Sequence, residues 1–196
     1  LNVGKNKNLT KYEMICSQMT GKMPWGMSKV IRKDLVEKAG NGFLNINVGE
    51  EAIFSYEVLK RAQYITFADK VIYHYVQSGT GQHTKGNYDP WKPLVEKMKE
   101  HLLASGEYDK YEDTINSLAL KALAICIYRC SFEKTIGKSL NLIRINYIEY
   151  KGKYDFSKIN KAVLDKNMLI ILELLKKKLF IILVLASKIR KMKMAY

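Results

Sequence analysis

Two adjacent carboxylates, Glu50 and Glu51, stand in the stretch VGEEAIFSYEVLKRA (residues 48–62), where a glycine gives way to an apolar helical segment. That position has two physical uses. A carboxylate in the first turn of a helix is stabilised by the macrodipole by about 0.3–1 kcal/mol, and Asn47 with Glu50 fits the N-x-x-E form of a helix start. The same field keeps a carboxylate ionised, and an ionised carboxylate within hydrogen-bond reach of a hydroxyl is a general base. Gly49 would let a substrate approach the backbone closely. From the residues alone, capping and catalysis both stay open. Other chemistry-bearing groups are sparser. His83 lies in a glycine-containing loop and is either a neutral-imidazole ligand or a solvated histidine. His74 and His101 read as structural or surface residues. The acidic pair Glu112–Asp113 has no comparable flanks and reads as the start of another helix. Cys16, Cys126 and Cys130 form no C-x-x-C pair and read as reduced core residues, with Cys126 and Cys130 on one helical face.

The elements that must position the carboxylates follow from periodicity. Residues 1–22 are polar with weak periodicity, a loop or a frayed helix. Met27, Val30 and Ile31 suit a short buried strand. Residues 33–39 make two helical turns, closed by Gly40 and the turn dipeptide Asn41-Gly42. In the helix after Glu51, Ile53, Tyr56 and Leu59 share one stripe and Phe54, Val58 and Ala62 its neighbour. Glu57, Lys60 and Arg61 face away. So wide an apolar face predicts packing on a sheet. YITFADKVIYHYV (residues 64–76) has the β-branched and aromatic content of a strand. Beyond residue 86 the pattern is helical. Asp89 and Pro90 open a helix striped by Trp91, Leu94, Val95, Met98 and Leu102. A second helix, over 111–130, turns Ile115, Leu118, Ala119, Ala122, Leu123 and Cys126 inward. Further helical segments are predicted near 132–150 and 157–164, then in the apolar, basic tail. The predicted class is α/β, an incomplete half with short strands and helices over residues 1–86, followed by a mainly α-helical extension over 87–196.

Taken in order, Trp25, Lys29, Val30, Ile31, Arg32, Lys33 and Leu35, then Phe43, then Gly49, Glu50, Glu51 and Phe54, then Ala62, Ile65, Tyr73 and Tyr75 form a spaced series. Over residues 23–84 this series resembles the C-terminal half of the catalytic domain in inverting family 2 glycosyltransferases of the GT-A type. The resemblance implies transfer of a sugar from a nucleotide-diphosphate sugar to a hydroxyl of a glycan or lipid-linked acceptor, in bacterial surface polysaccharide synthesis. Glu51 would be the base with Glu50 beside it. Trp25 and Lys29 would shape the acceptor and phosphate side, and Gln77, Ser78, Thr80 and His83 would close over the diphosphate. Three departures stand out. The family carries aspartate where this chain has Glu51, and arginine where it has Val76. Its Asp-x-Asp motif, which holds Mg²⁺ or Mn²⁺ against the diphosphate, occurs nowhere in these residues. With Leu1 as the first residue, the chain is expected to be a C-terminal portion whose metal ligands and nucleotide-sugar half lie elsewhere.

Charge and hydropathy bound the partners. The chain has 196 residues, 47% of them hydrophobic, so it can build a core; 33 basic against 19 acidic residues give a net charge of +14. Such a field draws anions. The aromatics are not interleaved with the basic residues in a stacking pattern, which argues against nucleic acid. Residues 168–193 are apolar and basic at once and suit a helix lying in a membrane interface. The uninterrupted apolar run 179–186 is far short of the ~20 residues that a spanning helix needs. The expected location is cytoplasmic, peripheral on the inner face of the cell membrane. The competing reading is a non-enzymatic basic helical module that binds a membrane surface or a protein partner, its glutamates only capping a helix.

Overall fold

Residues 108–130 carry apolar side chains on nearly every side, and this segment becomes the axis of the structure. The computed structural model describes residues 9–25, 29–40, 42–66 and 88–194. Among these, the chain forms α1 (Lys11–Met19), α2 (Lys33–Ala39), α3 (Ala52–Arg61), α4 (Lys92–Ala104), α5 (Tyr108–Cys130), α6 (Ile136–Lys153), α7 (Lys166–Lys176) and α8 (Phe180–Met194), with a 3₁₀ turn at Lys161–Val163. Helices α1, α4, α6, α7 and α8 all pack on α5. Ile115, Leu118, Ala119, Leu120, Ala122, Leu123 and Cys126 are fully enclosed along it. Each large side chain buried this way contributes about 1.5–3 kcal/mol. The buried residues before and after residue 86 belong to one apolar cluster. Cys16, Cys126 and Cys130 are buried free thiols, and the Sγ atoms of Cys126 and Cys130 lie 3.8 Å apart.

The expected α/β class does not hold: no strand occurs among the described residues. Val30, assigned to a buried strand, is 91% exposed. A lone extended segment needs a neighbour to pair its backbone groups, and among the described residues none stands beside this one. Residues 67–76 of the other predicted strand lie outside the described residues, and so does Met27. The wide apolar face of α3 is real, but helices cover it. Ile53, Tyr56, Leu59 and Val58 are buried, and α1, α2 and α4 all pack on α3.

Helix α1, expected as loop or frayed helix, is regular. Thr10 accepts from the Glu13 amide while the Glu13 carboxylate accepts from the Thr10 amide, a reciprocal cap. Lys11 Nζ donates to the Lys60 and Ala62 carbonyls (2.7 and 2.8 Å) at the end of α3. Gln18 Nε2 donates to the Ala52 carbonyl (3.2 Å) at its start. The two helices therefore run antiparallel, and Lys11 satisfies carbonyls that the C-terminal end of α3 leaves open. Helix α2 ends as expected, with Gly40 in the left-handed region at φ 63°. Helix α4 starts at Lys92, two residues beyond the predicted start, with Trp91 rather than Asp89 at its N-cap, and the Asp89 carboxylate accepts from Tyr150 Oη (2.7 Å). The helix predicted over residues 157–164 is only the 3₁₀ turn. Side chains of α5 bind this backbone instead: Asn116 Nδ2 donates to the Lys158 carbonyl (3.0 Å), and Ser117 Oγ accepts from the Asn160 amide (2.9 Å).

Glu57, predicted to face solvent, is only 3% exposed. It pairs with Arg61 on its own helix and with His101 Nε2 on α4 at 2.7 Å. An ionised carboxylate only accepts, so Nε2 is the ring nitrogen that carries a proton toward Glu57. Nearby, Glu107 accepts from Tyr56 Oη (2.7 Å) and pairs with Lys60. Burial, then the Lys60 and Arg61 cations, push the His101 pKa below its ordinary 6.5, with Glu107 opposing them. The folded state thus holds fewer protons on His101 than the unfolded state does. This stabilising contribution is complete above pH 6.5 and is lost as pH falls through the lowered folded value. Urea midpoints measured from pH 7.5 down to about pH 5 should fall, and His101→Gln should flatten that dependence. An unchanged slope in the variant would remove His101 as its source.

Candidate functional site

The carboxylates sit on the link that enters α3. Gly49 turns the chain with φ +72°. An L side chain in that left-handed region costs roughly 1–2 kcal/mol. The turn is fastened by the Ala52 amide to the Gly49 carbonyl (3.0 Å) and by the Leu44 amide to the Glu50 carbonyl (2.7 Å). A Cβ on Gly49 would lie 2.6 Å from Leu94 Cδ2 and 3.3 Å from the Trp25 ring. A Cβ on Gly21, also at positive φ, would lie 2.9 Å from Cζ2 of the same ring. Trp25 is therefore a wedge between two glycine turns. It packs on Trp91 with ring centroids 5.2 Å apart. Its Nε1–H is buried without an acceptor among the described residues.

The Trp25 carbonyl gathers the site. Ser55 Oγ, in the first turn of α3, donates to it, and so does Lys29 Nζ, which also donates to the Pro24 carbonyl. Burial pulls the Lys29 ammonium down to about 8, with the Glu51 carboxylate opposing that fall. Glu51 occupies the N-cap position of α3 but makes no side-chain capping bond. Burial pushes its pKa above the ordinary carboxylate value, and the neighbouring Glu50 carboxylate pushes the same way. The Glu51 amide and the Lys29 ammonium pull it back. The helix-cap role, one of the two uses considered for this pair, is thus not what the Glu51 side chain performs.

Four of the residues chosen from sequence spacing, Trp25, Lys29, Glu50 and Glu51, are brought together here. Gln77, Ser78, Thr80 and His83 lie outside the described residues, as does His74. Sequence reasoning missed Ser55 and Trp91 as members of the site; a small hydroxyl one turn into α3 was the only local hint of the first. Glu112, of the second acidic pair, lies inside α5 and pairs with Lys158 at 3.4 Å. Among the described residues no group of three or more His, Cys, Asp or Glu side chains converges. Glu50 and Glu51 offer two carboxylates with a lysine beside them, a donor set too small and too positively flanked to fit Mg²⁺ or Mn²⁺. A cleft of about 540 Å³, lined by Tyr108, Tyr147, Tyr154 and Lys151 among others, lies elsewhere, between α5 and α6.

The fold and site together define a helical protein with a half-buried acidic pair at the start of α3. No family model, curated protein or solved structure matches the chain.

Two outcomes test this geometry. Gly49→Ala combines a disfavoured φ with a collision in the core. It should cost about 2 kcal/mol or more of unfolding free energy in chemical denaturation. Carboxyl-carbon NMR titration should place Glu51 above an ordinary glutamate. Lys29→Met should move it further up and Glu50→Gln should move it down. An unmoved titration in both variants would mean the three groups are not coupled.

Proposed function

We propose that Trp25, Lys29, Glu50 and Glu51 form the acceptor side of an inverting, family 2-like glycosyltransferase site. The reading rests on these residues and not on the fold, since the sheet expected with it is absent from the described residues. One observation carries it. Trp25 and Lys29, selected by spacing, meet the turn into α3 from across a whole helix: the Trp25 ring packs on Gly49, Lys29 acts electrostatically on Glu51, and Glu51 is released from capping.

In this reading the Glu51 carboxylate takes the proton of the acceptor hydroxyl while that oxygen bonds to the anomeric carbon. The bond from that carbon to the diphosphate breaks on the opposite face, so the configuration inverts. A raised pKa brings Glu51 closer to the working pH and makes it a stronger base. Lys29, charged near neutral pH, offsets part of the upward push that burial and Glu50 exert on Glu51. Trp25, packed behind the turn, holds the acidic pair in place on the acceptor side. By the resemblance, the nucleotide sugar and its divalent cation belong to the other half of the family's catalytic domain. The product of the complete reading frame that contains residues 1–196 is the form to assay, against a panel of nucleotide sugars. Glu51→Gln should lower kcat by about 10²–10⁴-fold with the helical signal intact. The acid limb of the wild-type profile should follow Glu51 and move to lower pH in Glu50→Gln. Full turnover by Glu51→Gln would end its role as base.

A second reading, a non-enzymatic basic helical module, is favoured by the helical fold and by the outer surface of α7 and α8. It predicts no transfer with any donor, and no functional consequence of Glu51→Gln.

A further inference from the structure

The apolar tail is two helices. Helix α7 ends at Lys176 and α8 begins at Phe180, with Lys178 at φ 56° in the turn between them. This divides the apolar residues into two sets. Leu172, Leu175, Phe180, Leu183 and Val184 are buried in the core shared with α5 and α6. Ile170, Leu179, Ile181, Ile182, Leu185 and Ile189 stay exposed. Ile182, Leu185 and Ile189 follow a three-then-four spacing and form one outer stripe. An apolar groove of about 340 Å³, lined by Leu169, Ile170, Leu174 and Leu179, opens at the corner. Its rim is basic. Lys177 and Lys178 are exposed and have no ion-pair partner among the described residues. From residue 166 onward the sequence holds eight basic residues against Glu173 alone, a net +7 of the chain's +14.

We propose that this outer face of α7 and α8 docks on an anionic lipid bilayer surface. Aliphatic side chains on an exposed helical stripe enter the boundary between headgroups and acyl chains, while flanking lysines reach anionic headgroups. No helix among the described residues is long and apolar enough to cross a membrane, so the contact lies in the surface plane. A second copy of the chain fits poorly, because self-association would set +7 against +7. The stripe carries no exposed aromatic ring for nucleic-acid bases to stack on. The proposal does not depend on glycosyl transfer and stands or falls separately from it.

Flotation of the full chain tests it, using vesicles of phosphatidylcholine with about a third phosphatidylglycerol and vesicles of phosphatidylcholine alone. Binding is expected only to the anionic vesicles, and should fade in roughly 0.5 M salt. Lys177→Gln with Lys178→Gln should lower partitioning about thirtyfold. Ile182→Ser with Leu185→Ser should abolish it at low salt. These four positions are exposed, so circular dichroism should show unchanged helix content; should the serine pair unfold, the salt series and the lysine pair decide the matter. The proposal is overturned by absent flotation, by equal flotation on both vesicles, or by binding that neither pair alters. It is equally overturned if the chain binds no vesicle but forms a concentration-dependent dimer that Ile182→Ser with Leu185→Ser dissolves.

Discussion

Enclosure of α5 on nearly all sides is the constraint from which the rest of the structure follows. A helix that buries apolar residues around its whole circumference must be surrounded, and only several amphipathic partners can do that. Helices α1, α4, α6, α7 and α8 supply those faces. Their faces toward α5 are spent on enclosing it. The polar exceptions on α5 mark where helices give way to irregular chain. Asn116 and Ser117 face the 155–160 segment and bind its backbone, replacing the hydrogen bonds a helix would have made there.

The candidate site inherits its position from this packing at one remove. Helix α3 does not lie along α5. It is held by α1, which runs antiparallel to it and hydrogen-bonds both its ends, and by α4. Trp25 then fills the gap between the turn after α1 and the turn before α3, and its carbonyl collects Lys29 and Ser55. The acidic pair is therefore anchored from behind by a large ring with little freedom to move. At the opposite end of α3, the buried Glu57, with Arg61 and His101, locks the helix to α4. A carboxylate so enclosed is tolerable only with its charge matched by neighbours, which Arg61 provides.

Much of the secondary structure was legible locally. The limits of α2, with Gly40 as its stop, follow from a short periodic run and a glycine able to adopt positive φ. The stripes of α4 and α5 follow from helical spacing, and every inward residue assigned to them is buried or, at Trp91, partly so. The reciprocal cap at Thr10 and Glu13 was written in the sequence but obscured by the polar residues around it. Of the site, the carboxylate pair and its glycine were legible as a motif; the contribution of Ser55 was not, since a lone serine on a helix carries no spacing signal.

By itself the sequence determined where most of the helices run, where glycines turn the chain and how the basic charge is distributed, because these depend on neighbours a few residues apart. Only the tertiary structure decided what covers the apolar face of α3, since a wide stripe is equally satisfied by a sheet or by helices. It also decided that Glu57 turns inward to meet His101, forty-four positions away in the chain. The tail shows the same division. Its apolar and basic composition is local, but which isoleucines enter the core and which remain outside was set by the volume left beside α5 and α6.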